Sequence, residues 1–260
     1  MNAYFYEKEE FFKSNVTLDY SYRIDMLKKL KETIKLYEKD IFNALSLDLN
    51  KPKFESYTSE IGVVYNEIDD AVKNLKRWMK VKKVPTPLFI KPGRSYIYKV
   101  PKGVVLIISP WNYPFQLVFT PLVGAIAAGN CVIIKPSNKS SNTEKIINII
   151  INECFDKNYI STVNGPGSKV VNSLIEDYDF DHIFFTGSVK VGRIISSLAS
   201  EKLIPVTLEL GGKSPCIVFN DCDISSSAKR VVWGKFYNAG QTCVAPDYLV
   251  IQKSIKDKFI

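Results

Sequence analysis

Apolar residues recur every three or four positions in two long stretches near the start of the chain, and that spacing predicts amphipathic helices. The first runs from about Tyr22 to Leu47, with Leu27, Leu30, Ile34, Ile41 and Leu45 on one stripe. The second runs from about Tyr57 to Met79 and carries Ile61, Val64, Ile68, Val72, Leu75 and Met79. Lys51-Pro52 marks the break between them. From Val84 to Lys99 the pattern shortens to Leu88, Ile90, Tyr96 and Tyr98, punctuated by Pro85, Pro87, Pro92 and Gly93. Such a segment reads as extended chain or an exposed hairpin arm.

From Gly103 the texture changes to short, continuous apolar runs alternating with helical patterns, the mark of strands buried on both faces. Strands are predicted at Val104–Ile108, Cys131–Ile134, Tyr159–Val163, His182–Phe185, Val206–Leu210 and Ile217–Phe219. Helices are predicted at Phe115–Ala128, Thr143–Phe155, Ser168–Ile175, Val189–Ala199 and Ile224–Tyr237. The succession predicts an α/β fold: a doubly wound, mostly parallel sheet behind the N-terminal helices.

Composition narrows the class. With 260 residues, 46% hydrophobic and 24% charged, the chain is globular rather than disordered or collagen-like. Its apolar runs are interrupted by Lys, Pro or Asn before a membrane span is reached, so no transmembrane helix is expected. Glu7, Lys8, Glu9 and Glu10 precede no apolar run, which argues against a secretory signal and for a cytoplasmic address. Five cysteines with irregular spacing and no CxxC pair argue against a disulfide framework and against a zinc site. The net charge of +8 raises the idea of nucleic-acid binding. The densest basic cluster, from Lys73 to Lys83, lacks interleaved aromatics and reads as a solvated helix face.

In doubly wound sheets ligands sit beyond the carboxyl ends of the strands, and there the sequence is unusual. Ser109-Pro110-Trp111-Asn112-Tyr113-Pro114 follows the first strand and Lys135-Pro136-Ser137 the second. Thr186-Gly187-Ser188-Val189-Lys190-Val191-Gly192 follows the fourth, and Glu209-Leu210-Gly211-Gly212-Lys213 ends the fifth. Gly187, Ser188 and Gly192 could bring backbone N–H groups and a helix N-terminus against a diphosphate, or form only an ordinary tight turn. Lys135 offers a cation for ribose hydroxyls or phosphate, or is simply exposed. Cys243, in Gly240-Gln241-Thr242-Cys243, is the candidate nucleophile. Cys131, Cys154, Cys216 and Cys222 read as packing thiols, and His182, before an apolar strand, as structural. Without a histidine base, proton work falls to Glu209, whose burial would raise its pKa toward neutrality; the alternative is an edge-strand carboxylate. Asn112, between two prolines, can donate to a developing oxyanion or hold its turn.

Taken in order, Pro-Trp-Asn-Tyr-Pro, Leu-Glu-Leu-Gly-Gly-Lys and Gly-Gln-Thr-Cys resemble the NAD(P)-dependent aldehyde dehydrogenases. The run from Asn238 to Tyr248 resembles their class 3 branch. The resemblance implies a Rossmann-like cofactor domain and oxidation of an aldehyde to a carboxylic acid with NAD or NADP. It implies Cys243 as nucleophile, Asn112 as oxyanion donor, Glu209 as general base, Lys135 as a ribose contact and Gly187, Ser188 and Gly192 in the diphosphate turn, with Ser109 and Trp111 beside the cofactor. No metal or nucleic-acid partner is implied, and a homodimer is implied for a full-length relative. The implied divisions are residues 1–83 for the helical part of the cofactor domain, 84–102 for the arm, 103–208 for the dinucleotide-binding core and 209–260 for the start of a catalytic domain. Members of the family are much longer, so an incomplete chain that at most binds dinucleotide, with exposed apolar surface after Glu209, is the alternative expectation. Asn138 stands where many relatives have Glu, which leaves use of NADP open.

Overall fold

A computed structural model describes the backbone of residues 2–260 and the side chains from Phe5 onward. In chain order come α1 (Asn2–Lys13), α2 (Tyr20–Leu36), α3 (Glu38–Leu49), α4 (Lys53–Ser56) and α5 (Gly62–Trp78). A hairpin follows, β1 (Lys82–Val84) with β2 (Ser95–Ile97), and then the alternating part. That part is β3 (Val104–Ile108), α6 (Gln116–Ala128), β4 (Cys131–Lys135), α7 (Ser141–Cys154), β5 (Ile160–Thr162), α8 (Gly167–Asp177), β6 (His182–Gly187), α9 (Val189–Glu201) and β7 (Val206–Leu210). The chain closes with β8 (Ser214–Val218), α10 (Ile224–Phe236), β9 (Pro246–Ile251) and α11 (Lys256–Phe259).

The central sheet is wholly parallel, in the order β5-β4-β3-β6-β7. Every residue of β3 and β4 is buried, which is why both read as unbroken apolar runs. From β3 the chain steps through α6 to β4 and through α7 to β5, then returns through α8 to β6 on the other side of β3. Right-handed crossovers therefore put α6 and α7 on one face and α8 and α9 on the other. The reversal opens a crevice between the carboxyl ends of β3 and β6, the place where such sheets bind ligands.

An outer helical layer covers α6 and α7. Helices α2 and α5 pack on α6, and α3 packs on α7. Their predicted stripes are the buried faces: Leu27, Leu30, Ile34, Ile41, Leu45, Ile61 and Val64 are fully enclosed. Asp48 fastens α3 to the start of α7, its carboxylate accepting from Asn142 N (3.1 Å), Asn142 Nδ2 (2.8 Å), Thr143 N (2.7 Å) and Thr143 Oγ1 (2.8 Å). A carboxylate there meets the positive end of the helix.

Several expectations shift in detail. The single helix expected from Tyr22 to Leu47 is two, broken at Tyr37, whose hydroxyl donates to Glu153; the break turns α3 onto α7. The second helix opens with a π-turn over Tyr57–Ile61 before α5 begins. Helix α1, whose pattern is too mixed to be read in advance, anchors Phe5 against Tyr178 and Phe180. Strand β8 ends at Val218 rather than Phe219, and it pairs in parallel with β9, a strand the local pattern left unassigned. Ile217, Phe219, Trp233 and Phe236 are exposed, in line with the apolar surface expected after Glu209. The basic side chains from Lys73 to Lys83 are all exposed, as a solvated face requires.

Candidate active site

The crevice between β3 and β6 widens into a cleft of about 940 Å³. Trp111 and Asn112 enter it from the loop after β3, Gly187 and Ser188 from the end of β6, Glu209 from β7, and Cys243 from the loop before β9. Six of the nine residues singled out in the sequence thus meet at one place. Ser109, Lys135 and Gly192 do not line it.

The loop carrying Cys243 is held in an unusual backbone state. Asn238, Ala239 and Gly240 all have positive φ, at 54°, 54° and 77°. For the two non-glycine residues that conformation costs roughly 1–2 kcal/mol each, so the surroundings must impose it. They do so with hydrogen bonds. Asn238 N donates to the Glu55 carboxylate, and Asn238 Nδ2 donates to the carbonyls of Asn112 (2.8 Å) and Gln241 (3.3 Å). In return Asn112 Nδ2 donates to Gln241 O at 2.7 Å, and the Tyr113 hydroxyl meets Thr242 Oγ1 at 2.5 Å. Asn112 therefore holds its turn as well as facing the cleft, with one of its two amide N–H groups committed to the neighbouring loop.

Gly212 closes the other side. A Cβ on it would stand 3.1 Å from the Cys243 carbonyl oxygen, so the Gly-Gly pair permits the close approach of the Cys243 backbone. Gly187 and Gly192 serve packing too: a Cβ on Gly187 would fall 2.5 Å from the Phe185 ring, and one on Gly192 2.7 Å from Leu210. The turn is then finished by Ser188, which caps α9 by accepting from Val191 N at 3.3 Å.

Two expectations need correction. Glu209 is exposed, because β7 is an edge strand of the sheet, so the burial expected to tune its carboxyl is not found. Lys135 is not simply exposed: it is buried, its ammonium donates to the Pro136 carbonyl, and it lies 3.9 Å from Glu144 Oε1. Burial pushes its pKa down, and Glu144 opposes that shift. His182 sits beside β7 with Nε2 3.0 Å from Thr207 Oγ1, its pKa pushed down by burial and by Lys102. Cys131 and Cys154 are buried thiols raised to about 12 by burial, whereas Cys243 is exposed.

Sequence reasoning passed over the residues beneath this site. Glu60, fully buried, accepts a 2.5 Å hydrogen bond from Lys51 Nζ and two more from Phe115 N (3.1 Å) and Gln116 N (2.8 Å). Burial pushes its carboxyl up, against the pull of Lys51 and of the two amides. A signal existed: Glu60 stands four residues before Val64 and eight before Ile68, a carboxylate on an otherwise apolar stripe.

The motifs that meet in this cleft are matched by a family comparison, in which the aldehyde dehydrogenase family model covers residues 6–260. The chain belongs to the aldehyde dehydrogenase family. Within it, the chain is 53% identical over 256 residues to the 4,4'-diaponeurosporen-aldehyde dehydrogenase of Staphylococcus aureus, covering 98% of this chain and 55% of that protein. It is 45% identical to a family 3 aldehyde dehydrogenase of Dictyostelium discoideum, over 96% of this chain and 53% of the relative. The solved substrate-bound AldH of Staphylococcus aureus superposes with a TM-score of 0.95 at 50% identity, over 99% of this chain and 56% of that one. The betaine aldehyde dehydrogenase of the same organism, solved with NAD+, gives 0.90 at 28% identity, over 98% and 50%. The chain thus spans about half the length of the relatives it matches. Among its described residues no helix is long and apolar enough to cross a membrane, and no group of three or more His, Cys, Asp or Glu side chains could hold a metal.

Proposed function

We propose that this chain carries the cofactor domain and the nucleophile loop of an NAD(P)-dependent aldehyde dehydrogenase, acting on an apolar aldehyde in the cytoplasm. One observation carries the reading: Asn112, Glu209 and Cys243, far apart in sequence, open onto one cleft at the reversal point of a parallel sheet. Residues 103–208 are the dinucleotide-binding core, supported by residues 1–83 and the arm at 84–102, and residues 209–260 begin the catalytic part.

A dinucleotide fits the residues at the crevice. Ser109 Oγ and Thr186 Oγ1, after β3 and within β6, are buried with no hydrogen-bond partner among the described residues. Such atoms at strand ends suit a polar ligand, and the N-terminus of α9 suits a phosphate. Ser188, Trp111 and Lys135 complete the set of proposed contacts. With Asn138 after Lys135-Pro136-Ser137, no carboxylate in that stretch opposes a 2′-phosphate, so NADP is accepted as well as NAD.

In this reading Cys243 Sγ, as thiolate, adds to the aldehyde carbon, and the carbonyl electron pair moves to oxygen. The free N–H of Asn112 and the Cys243 backbone N–H donate to that oxyanion. A dinucleotide in the crevice would supply the acceptor for the hydride on the former aldehyde carbon, and the oxyanion pair re-forms the C=O, leaving a thioester on Cys243 Sγ. Glu209 takes a proton from water, the hydroxide attacks the thioester, and the carboxylic acid departs as the thiolate re-forms. A second reading, dinucleotide binding without turnover, is favoured by the exposure of both Glu209 and Cys243, since exposure leaves water in the site. Incubation with hexanal or benzaldehyde and either dinucleotide decides between them. Cofactor reduction that vanishes in Cys243→Ser supports the first; cofactor binding with no Cys243-dependent reduction supports the second.

A further inference from the structure

The Lys51–Glu60 pair lies outside the chemistry just described, yet it touches the Asn112 loop directly and reaches the Cys243 loop through Tyr113. Its side chains are 2% and 0% exposed. Replacing a buried ion pair by apolar residues of similar volume is often neutral or stabilising, so stability alone does not account for this one. Its contacts do. Glu60 Oε2 receives the amides of Phe115, the N-cap of α6, and of Gln116, its first residue, three and four residues after Asn112. Lys51 Nζ lies 4.6 Å from the centre of the Tyr113 ring, whose hydroxyl reaches Thr242 beside Cys243.

The π-turn is what allows this. It inserts an extra residue into the turn over Tyr57–Ile61, leaving Thr58 and Ser59 on the wall of the cleft while Glu60 points inward. Glu55, one turn earlier, holds Asn238 N on the opposite loop. The segment from Lys51 to Ile61 is thus a common foundation under the Asn112 loop and the Cys243 loop.

We propose that Glu60, paired with Lys51, is a positioning residue: through the amides that open α6 and through Tyr113 it sets where the Asn112 side chain stands relative to Cys243. The inference rests on the reading of Asn112 as oxyanion donor. A misplacement of about 1 Å in a catalytic group is enough to cost on the order of 10²-fold in rate.

The test compares two reactions of Cys243 in the full chain, neither of which needs a dinucleotide. Acylation by p-nitrophenyl acetate passes through an oxyanion; alkylation by iodoacetamide does not. In Glu60→Gln and in the double variant Lys51→Met/Glu60→Leu, acylation is expected to fall about 10- to 100-fold while alkylation stays within about twofold. The double variant removes both buried charges but leaves the Phe115 and Gln116 amides without this acceptor, so its urea midpoint is read beside its rates; if it fails to fold, Glu60→Gln decides by the same ratio. Wild-type acylation in either folded variant, or equal loss of both reactions, overturns the proposal. Absence of Cys243-dependent acylation in the wild-type chain refutes the underlying reading itself, and the inference with it.

Discussion

Removal of the Asn112 amide separates its hydrogen bond to the neighbouring loop from its proposed oxyanion role. In Asn112→Ala the 2.7 Å bond to Gln241 O is lost, but that carbonyl keeps the Asn238 Nδ2 donor at 3.3 Å and is not orphaned. The structural cost is therefore that of one ordinary hydrogen bond, about 1 kcal/mol. The chemical cost is larger, because a lost oxyanion donor is worth roughly 3–4 kcal/mol, or about 10²–10³-fold in rate. Asn112→Asp goes further: it sets an acceptor against the Gln241 carbonyl and a negative charge where negative charge must develop, so both stability and rate fall below those of the alanine variant. The assay is the rate of p-nitrophenol release in the first turnover, read against the urea midpoint of each variant. Acylation within threefold of wild type in Asn112→Ala, with stability lowered by only about 1 kcal/mol, would refute the oxyanion role and leave Asn112 as a turn former.

In Glu209→Gln the acyl-enzyme on Cys243 accumulates and is seen as an acetyl mass increment, because deacylation slows by about 10²–10⁴-fold; no accumulation means that another group activates water. Asp48→Ala removes four hydrogen bonds at the start of α7, two of them to backbone amides, and lowers unfolding free energy by about 2–3 kcal/mol; a urea shift worth less than about 0.5 kcal/mol would contradict the capping role. Alkaline pH destabilises the fold. Cys131 and Cys154 are raised from 9.0 to about 12, so between pH 9 and 10 the folded chain keeps protons that the unfolded chain loses, and each thiol removes up to about 1.4 kcal/mol per pH unit. Lys8, lowered from 10.5 to about 8, has the opposite sign in that window, while Tyr22, raised from 10.0 to about 12, adds to the loss, so the slope stays negative. Urea titrations at pH 9 and 10 measure it, and Cys131→Ala should make it shallower by about 1 kcal/mol per unit.

The sequence by itself determined the layers and the motifs. Buried strands must be apolar throughout and amphipathic helices must repeat every three or four residues, so β3, β4, α5 and α9 were legible from local pattern alone. The loops at element ends were legible for the same reason: Asn112 and Ser188 break the pattern after strands, and Cys243 breaks it after a helix. What the tertiary structure decided is relational. Tyr37 breaks a continuous stripe because α3 must turn onto α7, and only the folded chain contains α7 as a neighbour. Glu209 is exposed because β7 has a strand on one side only, a fact set by strand order and not by the residues flanking it. Glu60 becomes meaningful only once the π-turn and the α6 N-terminus, 55 residues apart in sequence, come within a hydrogen bond. Periodicity records which face of an element is buried, but the partner a buried polar group meets depends on long-range packing, and no local pattern encodes it.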